Sequence, residues 1–248
     1  MGVLQAKPAR PAIIVPIVGK NRAAIREAAT AIAVSDADIV EWRADHFVQL
    51  DDIPEVVTVA RRIKEITAKP LIFTIRSRAE GGVGELDAHD YAFTTLRVAV
   101  DALDHNDYVD VELRHPGTPC AMKLRRHLQD LAGTIISHHD FNGTPSGDDM
   151  YLILEKCAEM SDGAVKLAVT PHSATDVAAL LDCAARFTAH HQMPTIAAAM
   201  GKLGVASRVV GHLFGSCATF ATIGEPSAPG QLSYQQMQRL LAELSPQT

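Results

Sequence analysis

Tyr108-Val109-Asp110-Val111-Glu112-Leu113 alternates valine with carboxylate inside a run that otherwise has the composition of a buried strand. Side chains of a strand point to opposite faces in turn, so Val109 and Val111 share one face while Asp110 and Glu112 share the other. Ile39-Val40-Glu41-Trp42-Arg43 repeats the arrangement, with Val40 and Trp42 set against Glu41 and Arg43. In Ala164-Val165-Lys166-Leu167-Ala168-Val169 the apolar face takes Val165, Leu167 and Val169, and Lys166 lies opposite, flanked on its own face by Ala164 and Ala168. Strands with one face for helices and another for a polar interior suit a closed barrel, where inward and outward residues alternate.

Outward from these segments, short β-branched runs alternate with amphipathic stretches along the whole chain, the pattern of a parallel sheet with crossover helices. Strands are predicted at 12–18, 39–43, 70–76, 108–113, 133–138, 164–169, 195–200 and 218–223, and helices at 22–35, 54–67, 91–104, 119–131, 148–160, 174–190, 205–213 and 234–244. Eight β/α units without a linker or repeat predict an α/β fold of the (β/α)8 TIM-barrel kind, with its active site at the C-terminal mouth of the strands. An open doubly wound sheet is the runner-up, but Gly19-Lys20-Asn21-Arg22 lacks the G-x-G-x-x-G spacing of a nucleotide-binding turn. Gly81, Gly82 and Gly84 predict a flexible loop after the third strand. The 248 residues suit one barrel, so a single domain over 1–248 is expected, with residues 1–10 as a frayed tail.

Hydrophobic residues make up 47% and charged residues 21%, ordinary globular usage. The longest apolar stretches, 12–18 and 195–200, fall well short of the roughly 20 residues of a membrane span. No secretory h-region follows Lys7 and Arg10, which points to a cytoplasmic protein without membrane attachment. Cys120, Cys157, Cys183 and Cys217 form no C-x-x-C pair for metal or redox work and are expected to be reduced. A formal charge of −6 argues against a nucleic-acid partner, so an anionic substrate would have to be held by local arginines.

Arg76, at the end of the third strand, brings the predicted lumen to three cations (Arg43, Arg76, Lys166) and three anions (Glu41, Asp110, Glu112). Structural barrels fill such layers with Val, Ile and Leu, and burying an ion costs several kcal/mol even after relaxation. Salt bridges that merely plug a polar centre remain an alternative for any one pair. Lys166 is the less easily explained that way, since arginines near an amine disfavour its charged form and make it a nucleophile. Ile136-Ser137-His138-His139-Asp140-Phe141 brings two histidines to the mouth, where one can shuttle protons near neutral pH. Adjacent side chains in an extended segment diverge, and no third ligand is evident for a metal.

Several segments together resemble the type I 3-dehydroquinate dehydratases of the shikimate pathway, which serves aromatic amino acid biosynthesis. They are Glu41-Trp42-Arg43-Ala44-Asp45, Phe73-Thr74-Ile75-Arg76-Ser77 with Glu80-Gly81-Gly82, Asp110-Val111-Glu112, Ser137-His138-His139-Asp140-Phe141, Val165-Lys166-Leu167-Ala168, Ser207-Arg208 and Ser227-Ala228-Pro229-Gly230-Gln231. Each falls, in order, on a strand, at its end or in the loop after it. The resemblance implies that Lys166 is the Schiff-base lysine, that His139 is the catalytic histidine, and that Glu80 orients it. It places Glu41, Arg43, Arg76, Arg208 and Gln231 among the substrate-binding residues, Ser227 and Ala228 in a closing loop, and Met200 and Phe220 in the pocket wall. At Ala198 this chain departs from the enteric members, which carry a second methionine there. The same resemblance implies a lyase without a cofactor or metal, a homodimer, and 3-dehydroquinate as the small anionic substrate.

Two other readings remain open at this point. Another Schiff-base barrel, such as a class I aldolase, would also carry a strand-six lysine, and Arg208 could then be half of a phosphate site. A catalytically inactive barrel that only binds its ligand would keep the pocket and lack turnover.

Overall fold

Alternation along each strand sorts the side chains into a helix-facing layer and a lumen. The computed structural model describes every residue except 1, 7, 85, 116, 124–127, 225–226 and 245–248. Among the described residues, the strands are β1 (Ala12–Ile17), β2 (Ile39–Arg43), β3 (Leu71–Thr74), β4 (Tyr108–Glu112), β5 (Gly133–Asp140), β6 (Ala164–Val169), β7 (Thr195–Ala199), β8 (Ala218–Thr222) and β9 (Leu232–Ser233). They form one curled parallel sheet in the order β7-β6-β5-β4-β3-β2-β1-β8-β9. The curl brings β7 back to β8 at a bridge between Thr195 and Ser216, where the Cys217 N–H donates to the Thr195 carbonyl at 2.7 Å. Toward the mouth, Ala221 and Thr222 of β8 pair instead with Leu232 and Ser233 of β9. Ser227, Ala228 and Gln231, just before β9, line the cavity at the mouth.

Helices α1 (Arg22–Ala33), α2 (Ile53–Thr67), α3 (Ala88–Ala102), α4 (Thr118–Lys123), α5 (Gly147–Met160), α6 (Ala174–His190), α7 (Val205–Val210) and α8 (Tyr234–Leu244) follow the strands. Polar residues start them: the Asn21 side chain accepts the Ala24 N–H, and Ser173 and Asp176 cap each other's backbone. Between sheet and helices lies the larger core, built on Val40, Trp42, Phe73, Val111, Leu167 and Phe187. A second apolar cluster, including Ile14, Ile39, Ile72, Ile135 and Ile196, fills the floor of the lumen. Water is thus excluded beneath the charged layers, which strengthens every electrostatic contact above. No helix among the described residues is long and apolar enough to cross a membrane.

Several boundaries differ from expectation. β5 runs on to Asp140 because its ladder with β6 continues through His139 and Ala168 to Asp140 and Val169. β3 ends at Thr74, and the Arg76 N–H turns to Asp45 Oδ1 at 3.3 Å. The helix predicted at 205–213 breaks after Val210 into a 3-10 turn, Gly211–Phe214. Of the helix predicted at 119–131, residues 124–127 lie outside the described residues. The glycine loop is packed, not open: a Cβ on Gly82 would stand 1.9 Å from the Arg76 carbonyl, and Gly81, at φ +81°, lies under the Phe141 ring. Within the segment 1–10, of which residues 1 and 7 lie outside the described residues, two side chains are anchored. Leu4 closes the apolar floor and donates its N–H to the Tyr108 hydroxyl at 3.1 Å, and Arg10 forks onto Asp38 at 2.6 and 2.7 Å.

Asp107, buried at the foot of β4, is the polar group on which the lower barrel depends. Its carboxylate accepts the Leu71 N–H and the Asp104 N–H, each at 2.8 Å, and pairs with Lys64. Asp107→Ala strands a buried N–H at the start of β3 and is expected to cost about 2–4 kcal/mol of stability in urea unfolding. A change within about 0.5 kcal/mol, the range of an ordinary surface substitution, contradicts this assignment.

Candidate active site

Lys166 stands midway along β6, 7% exposed, with Ala164 and Ala168 leaving room on its own face. Its Nζ lies 3.1 Å from Asp110 Oδ2, 3.4 Å from Glu41 Oε1 and 4.7 Å from the centre of the Phe220 ring. The groups in contact with the amine are therefore carboxylates, where the sequence suggested arginines. Arg76 is one step further out, 2.8 Å from Asp110, 3.1 Å from Glu112 and 3.0 Å from the Ser137 hydroxyl. Burial alone would raise the Asp110 carboxyl, but Arg76, Lys166 and the Ser137 hydroxyl hold it down to about 2. A carboxylate depressed in the fold contributes stability above its ordinary pKa and loses it only as pH falls through the depressed value. The Asp110 carboxylate therefore stays ionised near neutral pH.

His139 ends the inward row of β5, opposite Ala168 of β6. Its Nδ1 is 2.8 Å from Glu80 Oε2, which also accepts the His139 backbone N–H at 3.1 Å. A carboxylate at Nδ1 fixes the proton there and leaves Nε2 with its lone pair. Burial, and then the Arg76 and Lys166 cations, hold the imidazole well below the usual histidine pKa, against the opposing pull of Glu80. Near pH 7 the ring is thus a neutral base. Glu80 sits on a 3-10 turn, Arg78–Glu80, that folds over the end of β5. Burial would raise its carboxyl, but the two histidines and Arg76 keep it low.

Arg208 differs from the other cations because no carboxylate pairs with it among the described residues. It is 5% exposed, and burial lowers its guanidinium to about 10, so it remains charged at neutral pH. Its Nη2 reaches only the Pro229 carbonyl at 3.3 Å, and its Nε has no partner. An uncompensated buried cation is costly, and an anionic ligand removes that cost.

The segment 227–231 is folded down over the mouth. Gln231 accepts the Ser227 N–H at 2.9 Å and donates to the Ser227 hydroxyl at 3.0 Å, while Arg43 reaches the Ser227 carbonyl at 3.5 Å. Gly230, at φ +79°, passes so close that a Cβ there would lie 2.2 Å from the Gly201 carbonyl. Ala228 lies on the same loop, and Met200, Phe220 and Ala198 form the apolar wall. The cavity left beneath is about 60 Å³. A larger groove, about 540 Å³, lies outside the barrel between α1 and α2, but it holds neither lysine nor histidine. Chemistry, not volume, selects the mouth.

The twelve residues to which the resemblance assigns a catalytic, binding, loop or wall role all line this one cavity: Lys166, His139 and Glu80 with Glu41, Arg43 and Arg76, and Arg208, Ser227, Ala228, Gln231, Met200 and Phe220. Asp110 and Glu112 lie buried beside it, and His138 is on the outer face of β5. Sequence reasoning missed Asp45, whose fully buried carboxylate grips Arg43 at 2.8 Å through both oxygens and also accepts the Val83 N–H. Its signal was its place two residues after Arg43. Phe141 was also missed as a wall residue, although it directly follows the His-His-Asp run.

The family model described as type I 3-dehydroquinase matches residues 13–247. A protein of Bacillus licheniformis named 3-dehydroquinate dehydratase is 35% identical over 234 residues, covering 94% of this chain and 91% of that protein. One of the same name from Salmonella agona is 36% identical over 236 residues, covering 94% and 93%. Among solved structures, the 3-dehydroquinate dehydratase of Geobacillus kaustophilus superposes with TM-score 0.88 at 30% identity, covering 98% of each chain. The type I enzyme of Clostridium difficile, described with covalently modified comenic acid, gives TM-score 0.88 at 32% identity, covering 97% of this chain and 94% of that one. With a family model spanning residues 13–247 and relatives of 35% and 36% identity over most of its length, the chain belongs to the type I 3-dehydroquinase family.

Proposed function

We propose that this protein is a 3-dehydroquinate dehydratase acting through an imine on Lys166. The observation that carries the reading is a buried lysine in the same small cavity as a neutral histidine with a free Nε2 and an unpaired arginine. The Lys166 amine adds to the substrate ketone and water is lost, giving an iminium that acidifies the adjacent C–H bond. Glu41 and Asp110, in contact with Nζ, hold the amine in place for the attack. His139 Nε2 removes the carbon-bound proton and then returns it to the departing hydroxyl one carbon further on, a syn elimination served by one base. Hydrolysis of the imine releases 3-dehydroshikimate and restores the amine.

Arg208 pairs with the substrate carboxylate, for which a planar guanidinium is suited. Glu41 and Gln231 bind hydroxyls, Arg43 and Arg76 order the polar layer, and the 227–231 loop excludes water. An aldolase of sugar phosphates would need to hold a dianion, whereas Arg208 alone among the described cations lining the cavity lacks an acidic partner. The reading extends to one domain over 1–248 working as a cytoplasmic homodimer in the shikimate pathway. Support for the compartment is the four free cysteines, three of them buried. Support for the dimer is the family likeness.

Adding 3-dehydroquinate to the purified protein is expected to raise the ultraviolet absorbance as the conjugated enone forms. No rise at any substrate concentration overturns the reading. The proposed chemistry runs on lysine, histidine and carboxylate alone, so prolonged chelation should leave the rate unchanged. Loss of activity on chelation with recovery on adding a divalent ion would contradict it.

A further inference from the structure

The reaction leaves His138 without a task. It stands on the outer face of β5, between the sheet and the helices, where apolar side chains are the rule. Instead it is a buried imidazole whose Nδ1 lies 3.4 Å from Glu80 Oε1. No hydrogen-bond partner for that nitrogen is formed among the described residues, and a buried N–H without an acceptor is destabilising. Glu80 Oε1 is therefore the acceptor within reach. The other oxygen, Oε2, is taken by the His139 ring at 2.8 Å and the His139 backbone at 3.1 Å. One carboxylate thus bridges two consecutive histidines on opposite faces of the strand, which it can do because the Arg78–Glu80 turn lies across the strand end.

We infer that His138 is a positioning residue: by donating its Nδ1–H to Glu80 Oε1 it orients the carboxylate so that Oε2 holds His139 with Nε2 free for proton transfer. The inference rests on the reading of His139 as the proton carrier. Without His138, the nearest alternative for Glu80 is Arg76, 3.6 Å from Oε2 and already engaged by Asp110 and Glu112. The groups facing the pair are Arg76 from the end of β3 and Lys166 from β6, with His115 and Cys157 coupled to Glu80 at longer range. Removing the His138 donor concentrates the Glu80 charge on His139, which then holds a second proton more tightly. Since His139 must be neutral to act, the acid limb of activity moves to higher pH. The acid limb belongs to the pair of Glu80 and His139, not to either residue alone.

Three variants test this. In His138→Asn the amide N–H stands near the place of Nδ1; in His138→Gln it is displaced outward; His138→Leu has no donor. With 3-dehydroquinate, the Gln and Leu proteins are expected to lose about tenfold in kcat at little-changed KM, with the acid limb raised by about one pH unit. The Asn protein should recover most of that loss, which mere packing would not predict. If the Leu protein does not fold, the comparison of Asn with Gln still decides. Nitrogen NMR of the His139 ring in ligand-free enzyme supplies a readout independent of turnover: its titration should move up in the Gln protein and not in the Asn protein. A wild-type enzyme inert toward 3-dehydroquinate, with the His139 titration moving as stated, overturns the proposed activity and supports the positioning role. An active wild type whose kcat, acid limb and His139 titration are unchanged by Gln overturns the positioning role alone.

Discussion

Lys166→Ala is expected to abolish turnover of 3-dehydroquinate while the barrel stays folded. Without the amine there is no imine, and nothing else in the cavity can withdraw electrons from the carbon next to the ketone. Single residues of a catalytic unit typically account for losses of about 10⁴-fold or more, and a fall at least that large is expected in kcat. The fold should survive because Arg76 still compensates Asp110 at 2.8 Å and the Thr74 hydroxyl still donates to Glu41 at 3.1 Å. Circular dichroism and a thermal melt check the fold alongside the kinetics. Turnover above about a hundredth of wild type in a folded variant would remove Lys166 from the mechanism.

His139→Ala should lower kcat by about 10²- to 10⁴-fold, toward the upper end because one group serves two proton transfers. It should still form the imine, since condensation and proton abstraction are separate steps. A variant that neither turns over nor traps its ligand would show that His139 acts before the imine forms. The wild-type pH profile carries a related expectation. Burial and then Arg76 hold the ring well below the usual histidine range, so the active neutral base persists as pH falls through about 6.5 and is lost only at lower pH. An acid limb centred at or above that value would contradict the neutral assignment.

Strand parity was legible in the sequence because a charge inside an apolar strand can be accommodated on one face only. Asp110, Glu112, Glu41 and Lys166 revealed the lumen, and each lies there, buried. What sequence could not supply was the pairing of those charges, which depends on the register between strands. Asp110 of β4 bridges Arg76, just past the end of β3, and Lys166 of β6, a relation between distant segments that no local pattern encodes. The same applies to the mouth. That β9 pairs with β8 is a two-residue event too short for any periodicity, yet it brings Gln231 in beside Ser227. The sequence places the end of β5 at His138, two residues early, because no local pattern separates His139 and Asp140 from the following loop and only the ladder with β6 includes them. One leucine among small and polar residues carries no pattern, so nothing in the sequence marks Leu4 as part of the apolar floor.

Reductive trapping tests the central claim most directly. The enzyme is incubated with 3-dehydroquinate or its dehydration product, treated with borohydride, weighed intact and then digested. The imine reading predicts one reduced ligand per chain, on the peptide that contains Lys166. An adduct on Lys202, or no adduct from an enzyme that is otherwise active, would contradict it.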